Sequence, residues 1–297
     1  MPAWEDPVEL VRLIRSVDII TRARVTGQKA GVHISLFKGQ GIEFSEIREY
    51  VPGDDIRAID WKVTARYGIP YVKEFTEERD QTFYFVIDLS GSHAFGSTVS
   101  KYRMMLEICA SLVFAAVRYH DRAGLLIVTD HVERFIPARS GRAHAVHLIH
   151  EVINHTPKSS GSDLRPACTH ILTRLRRMAS VILISDFYMP DFSRELGLLS
   201  QHHEVYAVRV SDPREAELPD VGLIELEDAE TGEQILIDTS DDLFRDDYRK
   251  AVVETNTKIT ELFRRTHVPM EQVRTTDDWL VPLQRLFGDN PFAGVRS

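Results

Sequence analysis

The sequence predicts an α/β fold, a mostly parallel sheet flanked by helices, and three observations point to it. Short runs of continuous apolar residues, such as Thr-Phe-Tyr-Phe-Val-Ile at 82–87 and Val-Ile-Leu-Ile at 181–184, read as strands buried on both faces. Between them lie longer stretches in which apolar residues recur at helical spacing. Two of the apolar runs also stop on a carboxylate, Asp88 and Asp186, at the strand end where ligands of such sheets collect.

In chain order, the first 80 residues read as an N-terminal extension. It opens on an amphipathic helix carrying Val8, Val11, Leu13, Ile14, Val17 and Ile20. The segment Tyr50-Val51-Pro52-Gly53-Asp54-Asp55 predicts a turn and a helix start, with Asp54 as the cap and Ile56, Ile59 and Val63 facing inward. Trp61, among Ile59, Val63 and Tyr67, is expected in a core. Residues 71–75 read as a short strand, and Glu77-Glu78-Arg79-Asp80 separates it from the apolar run at 82–87.

Residues 81–297 form the main domain in this reading. The strand at 82–87 leads into a helix over 101–119, then a strand at 124–128 with a hairpin partner at 132–136. Helices come next near 143–154 and 165–178, then the strand at 181–184, a further helix and a strand at 205–210. Residues 223–226 and 234–237 are expected as an edge hairpin, and helices at 242–265 and 279–287 close the chain.

The formal net charge of −9 disfavours nucleic acid and anionic membranes as partners. Cys109 and Cys168 sit among apolar helical neighbours and read as reduced core residues, which fits a cytoplasmic protein. The N-terminus has no basic and apolar leader pattern, and no apolar run approaches the ~20 residues that span a bilayer. His144, His147 and His150 recur every third residue, but on one helix they fan outward and cannot surround one ion.

The candidate site begins at Asp88-Leu89-Ser90-Gly91-Ser92. One carboxylate and two hydroxyls at alternate positions can face a common point ahead of a helix. Gly161-Ser162-Asp163-Leu164 supplies a third hydroxyl from a later loop, and Asp186 a second strand-end carboxylate. All are hard oxygen donors suited to Mg²⁺, with Ca²⁺ or Mn²⁺ as alternatives, rather than to zinc. Simple helix capping by Ser is the alternative for the first loop.

This order of Asp-x-Ser-x-Ser, a hydroxyl loop and a strand-terminal Asp resembles the metal-ion-dependent adhesion site of von Willebrand factor A-like domains, whose sheet is Rossmann-like. The resemblance implies Ser90, Ser92 and Ser162 as direct ligands, Asp88 and Asp186 as holders of coordinated waters, and a partner's acidic side chain completing the shell. Ser162 stands where that family most often has Thr, keeping the hydroxyl and losing the methyl. Upstream, Gly41-Ile42-Glu43-Phe44, Arg48-Glu49-Tyr50-Val51-Pro52-Gly53-Asp54-Asp55-Ile56-Arg57, Ile59-Asp60-Trp61 and Ala65-Arg66 resemble the signature of the domain-of-unknown-function 58 family. That resemblance implies a partnership with a MoxR-type AAA+ ATPase in protein maturation or stress response.

The expected function is therefore a non-catalytic, metal-dependent protein-binding adaptor. The rival is a metal-assisted hydrolase or phosphatase at the Asp88 loop. The sequence holds neither G-x-S-x-G nor G-x-x-x-x-G-K-[ST], so no familiar nucleophile or phosphate loop supports the rival.

Overall fold

A computed structural model describes residues 43–51, 59–76, 81–91, 99–118, 120–216, 218–227 and 234–288. The expected N-terminal amphipathic helix lies outside them. The chain divides into two compact units, with Phe37–Gln81 as the smaller.

In the smaller unit, β1 (Glu43–Glu49) pairs antiparallel with β2 (Tyr71–Thr76), with a register shift between Phe44 and Glu46. Between them lies α1 (Trp61–Tyr67). Asp60 is its cap, its Oδ1 accepting from the amides of Lys62 at 2.9 Å and Val63 at 3.2 Å. The expected helix start at Asp54 lies outside the described residues. Ile59 is extended and bridges to Val72, so it belongs to the sheet edge rather than to the helix. Gly68 ends α1 at φ 77°, a left-handed turn that glycine adopts without steric cost. No residue of α1 is buried, and Trp61 is 66% exposed. The core role expected of Trp61 is thus corrected: a helix of seven residues here presents its aromatic and basic side chains to solvent.

The larger unit is built on a six-stranded sheet. Its strands are β3 (Thr82–Asp88), β4 (Arg122–Val128), β5 (Val132–Arg139), β6 (Ser180–Ser185), β7 (Glu204–Ser211) and β10 (Met270–Arg274). Their spatial order is β10-β7-β6-β3-β4-β5, with every pairing parallel except the β4–β5 hairpin. Helices α2 (Lys101–Arg118), α3 (Arg142–Asn154), α4 (Arg165–Arg174) and α5 (Ser193–His202) connect or flank these strands. The expectation of an α/β fold with a mostly parallel sheet holds.

The apolar strands are central for the reason their composition gives. Phe83, Phe85 and Ile87 on β3 are fully buried, as are Leu125 and Ile127 on β4 and Ile182 on β6. On one side α2 lies against β3, β4, β6 and β7. On the other, Val86, Leu126, Val181 and Leu183 pack with Cys168 and Ile171 of α4, with Leu196 and Leu199 of α5, and with Phe263. Both cysteines are buried and free, in line with the sequence reading.

After β7, a short 3-10 turn (Pro213–Glu215) carries a capping box. Asp212 accepts from the Arg214 amide, and Glu215 accepts from the Asp212 amide at 3.1 Å. Strands β8 (Leu223–Glu227) and β9 (Gln234–Asp238) then form a hairpin of their own, separate from the main sheet. That corrects its expected place at an edge. Helix α6 (Asp242–Arg265) leads to β10, an edge strand that the sequence reading missed, and to α7 (Leu280–Gly288). Among the described residues, no helix is long and apolar enough to cross a membrane.

Candidate functional site

Strand order reverses between β3 and β6: from β3 the chain moves outward to β4 and β5, then returns to β6 on the other side of β3. The connections diverge there, and in an open α/β sheet the crevice outside the carboxyl ends of such strands is where ligands bind. Asp88 ends β3, and Asp186 directly succeeds β6. The sheet therefore places the two carboxylates on neighbouring strands at the switch point.

Backbone contacts bring the loops to the same place. Leu89 N donates to Val128 O at 2.8 Å, turning the chain beyond β3 toward β4. Gly91 N donates to Ser160 O at 2.9 Å, and Asp163 N to Thr129 O at 3.0 Å, so the loop with Ser162 is held against the Asp88 loop and the end of β4. Asp163 precedes the Leu164 N-cap of α4 and accepts from Arg165 N at 2.8 Å.

The side chains converge on Asp88. Its Oδ1 accepts from Ser90 N at 3.0 Å, while Oδ2 accepts from Ser162 Oγ at 2.9 Å and Ser185 Oγ at 2.8 Å. Asp88, Ser90, Ser162, Ser185 and Asp186 are all buried. Each hydroxyl that donates to Asp88 keeps its oxygen lone pairs for another group. Ser92 and the adjoining His93 lie outside the described residues. Ser185 is an addition to the expected set, and it also accepts from Phe187 N at 2.9 Å.

Phe187 adopts φ 60°, a left-handed conformation that is costly for a bulky residue. Its ring is set against Phe263 at 4.8 Å, edge to face, and Phe192 at 6.3 Å, which anchors the turn in the core. The turn in turn fixes Asp186, whose Oδ1 accepts from Tyr188 N at 3.1 Å.

Two buried cations meet this turn. Lys101 Nζ donates to Asp186 Oδ2 at 2.7 Å and also pairs with Glu215 Oε1. Burial alone would lower the Lys101 pKa, but the Asp186 and Glu215 carboxylates outweigh it and hold the ammonium above its ordinary value. Arg209 Nε donates to the Asp186 carbonyl at 3.2 Å, and its guanidinium lies 5.2 Å from the Tyr188 ring centre. Neither cation was singled out from the sequence, though one signal was present. Helix N-termini favour acidic residues, and α2 opens on a lysine with no acidic residue in its first turn.

The donor set fits a small hard cation. Asp88 and Ser162 bring a carboxylate and a hydroxyl oxygen together, with Ser90 tied to Asp88 through its amide; among the described residues, no three His, Cys, Asp or Glu are grouped to hold a metal. The histidine triplet of α3 is accounted for otherwise in part, since His144 Nε2 lies 2.9 Å from the Ala123 carbonyl oxygen.

Comparison with known proteins places the chain among relatives. A family model described as "Protein of unknown function DUF58" matches residues 46–258, from β1 of the smaller unit into α6 of the larger. An uncharacterized protein of Mycobacterium tuberculosis is 32% identical over 287 residues, covering 95% of this chain and 89% of that protein. One of Bacillus subtilis is 30% identical over 112 residues, covering 37% of this chain and 26% of its own. Among solved structures, the conserved hypothetical protein BatB from Bacteroides thetaiotaomicron is similar with a TM-score of 0.49 at 14% identity, covering 70% of this chain and 96% of that one. The SpRpn10 VWA domain is similar with a TM-score of 0.34 at 9% identity, covering 45% of this chain and 76% of that one. With the family model matched over most of its length and a relative aligned nearly end to end, the chain belongs to the DUF58 family.

Proposed function

We propose that the protein is a non-catalytic adaptor that binds a protein partner through a divalent cation, Mg²⁺ in the first place, held at the Asp88 crevice. The observation that carries this reading is the convergence of Ser90, Ser162 and Asp88, with Asp186 beside them, at the strand-order reversal. Asp88 and the serine hydroxyls would hold the ion, and the ion would supply an electrophilic point for an acidic side chain of the partner. Asp88 fixes the Ser90 amide and two hydroxyls at once, which suits a carboxylate that organises a loop.

A hydrolase is less well supported. Among the described residues, the Ser162 and Ser185 hydroxyls pair with Asp88 and the Phe187 amide, and neither pairs with an imidazole. The reading puts the protein in the cytoplasm, with a MoxR-type AAA+ ATPase as the partner and protein maturation or stress response as the setting. Its support is membership of the family and two buried thiols kept apart from any disulfide.

The test is an affinity capture of the purified ATPase of that type by the full chain, in Mg²⁺ and in EDTA, with Ser90→Ala/Ser162→Ala as the comparison. Capture that needs both the ion and the serines supports the adaptor. Capture that ignores both removes the cation from recognition. Phosphatase or esterase turnover that disappears in a folded Asp88→Ala variant would replace the adaptor with an enzyme.

A further inference from the structure

Lys101 is the first residue of α2, and its side chain is 1% exposed. Two effects oppose a lysine there. Burial removes the hydration of the ammonium, and the partial positive charge of the helix N-terminus repels it. The two carboxylates that offset this come from distant parts of the chain: Asp186 beyond β6, fully buried, and Glu215 in the turn beyond β7. Glu215 is itself fixed by the capping box with Asp212. The ammonium is thus held by two separate loops of the crevice.

Asp186 divides its oxygens accordingly. Oδ1 accepts the Tyr188 amide and Oδ2 the ammonium, so the carboxylate is positioned by this chain's own groups. Across the crevice, Asp88 gathers Ser90, Ser162 and Ser185. Lys101 is thus a cation set among carboxylates of the strand ends next to Asp88.

We infer that Lys101 is a built-in cation of this site. It is a positioning residue that holds Asp186 without a divalent ion, leaves the ion to the Asp88, Ser90 and Ser162 side, and weakens ion binding by its own charge. This rests on the cation-binding reading above. The site then binds its ion loosely enough for occupancy to depend on the partner's acidic group, instead of holding it as a permanent structural metal.

The test is calorimetric titration of Mn²⁺ into the full chain as wild type, Lys101→Met, Lys101→Arg and Glu215→Gln, with circular dichroism as the check on folding. Removing the positive charge should tighten Mn²⁺ binding by about tenfold or more, and removing the Glu215 charge should weaken it by a comparable factor. Lys101→Arg should stay near wild type. Opposite shifts mark a role through charge, because a merely structural residue would weaken binding in both cases. A folded Lys101→Met that binds Mn²⁺ no tighter than wild type overturns the inference while leaving the adaptor reading intact. Should Lys101→Met fail to fold, an unchanged affinity in Glu215→Gln overturns it instead. Mn²⁺ binding by Lys101→Met and none by wild type would support Lys101 as the resident cation and sink the metal-dependent adaptor.

Discussion

Ser162 and Asp88 lie 74 positions apart in the chain and meet through a buried hydrogen bond of 2.9 Å. With Ser185 as a second donor, Asp88 ties the loop before α4 to the ends of β3 and β6. Asp88→Ala would leave two buried hydroxyls without their acceptor, and the expected loss is about 1–3 kcal/mol for such groups. Urea unfolding of the variant would measure it. A change within error of zero would mean that the crevice is not organised around this carboxylate.

Lys101 and Asp186 should be energetically coupled. Breaking one side of a buried pair costs about 3–5 kcal/mol, because the other charge stays behind. Lys101→Met is therefore expected to be strongly destabilising, and Asp186→Asn added to it should cost less than the sum of the single changes. A double-mutant cycle on unfolding free energies gives the coupling directly. Additive effects would place the two groups in separate environments.

Alkaline pH should destabilise the protein from about pH 9. Burial pushes the thiols of Cys109 and Cys168 from 9.0 up to about 12, so the unfolded chain loses these protons first. Their contribution is full below pH 9 and declines as pH rises from 9 toward 12, by about 1.4 kcal/mol per pH unit for each thiol. Lys101 acts in the same direction at higher pH, since its folded pKa lies above 10.5 and its stabilisation is lost as pH rises through that value. Replacing both cysteines by alanine should flatten the decline between pH 9 and 10.5. An unchanged profile would mean that these thiols titrate normally.

Gly124 has a packing reason to be glycine. A Cβ there would overlap the Tyr84 ring, and Ala138 N would lie 3.0 Å away. The Tyr84 hydroxyl accepts from that same amide at 3.3 Å, so the ring cannot withdraw without giving up a hydrogen bond. Gly124→Ala should cost about 1–3 kcal/mol through overpacking. A shift in the thermal midpoint would show it, and a neutral substitution would mean that the β4–β5 hairpin yields easily.

Trp61 should be dispensable for folding. At 66% exposure, its replacement by alanine is expected to change stability by no more than about 0.5 kcal/mol, the range of ordinary surface positions. Acrylamide quenching of the remaining tryptophan emission in Trp61→Phe would show whether the readily quenched component has gone. A large loss of stability in Trp61→Ala would restore the core role expected from its neighbours.

Much of the fold was legible because the central strands are apolar on both faces. Runs such as 82–87 and 181–184 admit few other readings at their length, and their terminal carboxylates marked the crevice. What escaped has physical reasons. Strand β10, Met-Glu-Gln-Val-Arg, pairs on one edge only and mixes polar with apolar residues, so it carries no apolar run. The Asp60 cap immediately before α1 went unread because Pro-Gly-Asp-Asp, which lies outside the described residues, carried the stronger signal. Trp61 misled for another reason: apolar neighbours in sequence do not form a core on a helix too short to bury a face. The placing of Asp88, Ser90, Ser162 and Asp186 at neighbouring strand ends could be read from spacing. Lys101 and Glu215 could not be paired that way, since 114 positions separate them and only the sheet order brings their loops together.

The central claim is that the Asp88 crevice binds a divalent cation through serine oxygens. Its most direct measurement is calorimetric titration of Mg²⁺ and Mn²⁺ into wild type and a folded Ser90→Ala/Ser162→Ala variant. The account expects saturable binding of one ion per chain in wild type and its loss in the variant. Equal binding by both proteins, or none by wild type, would contradict it.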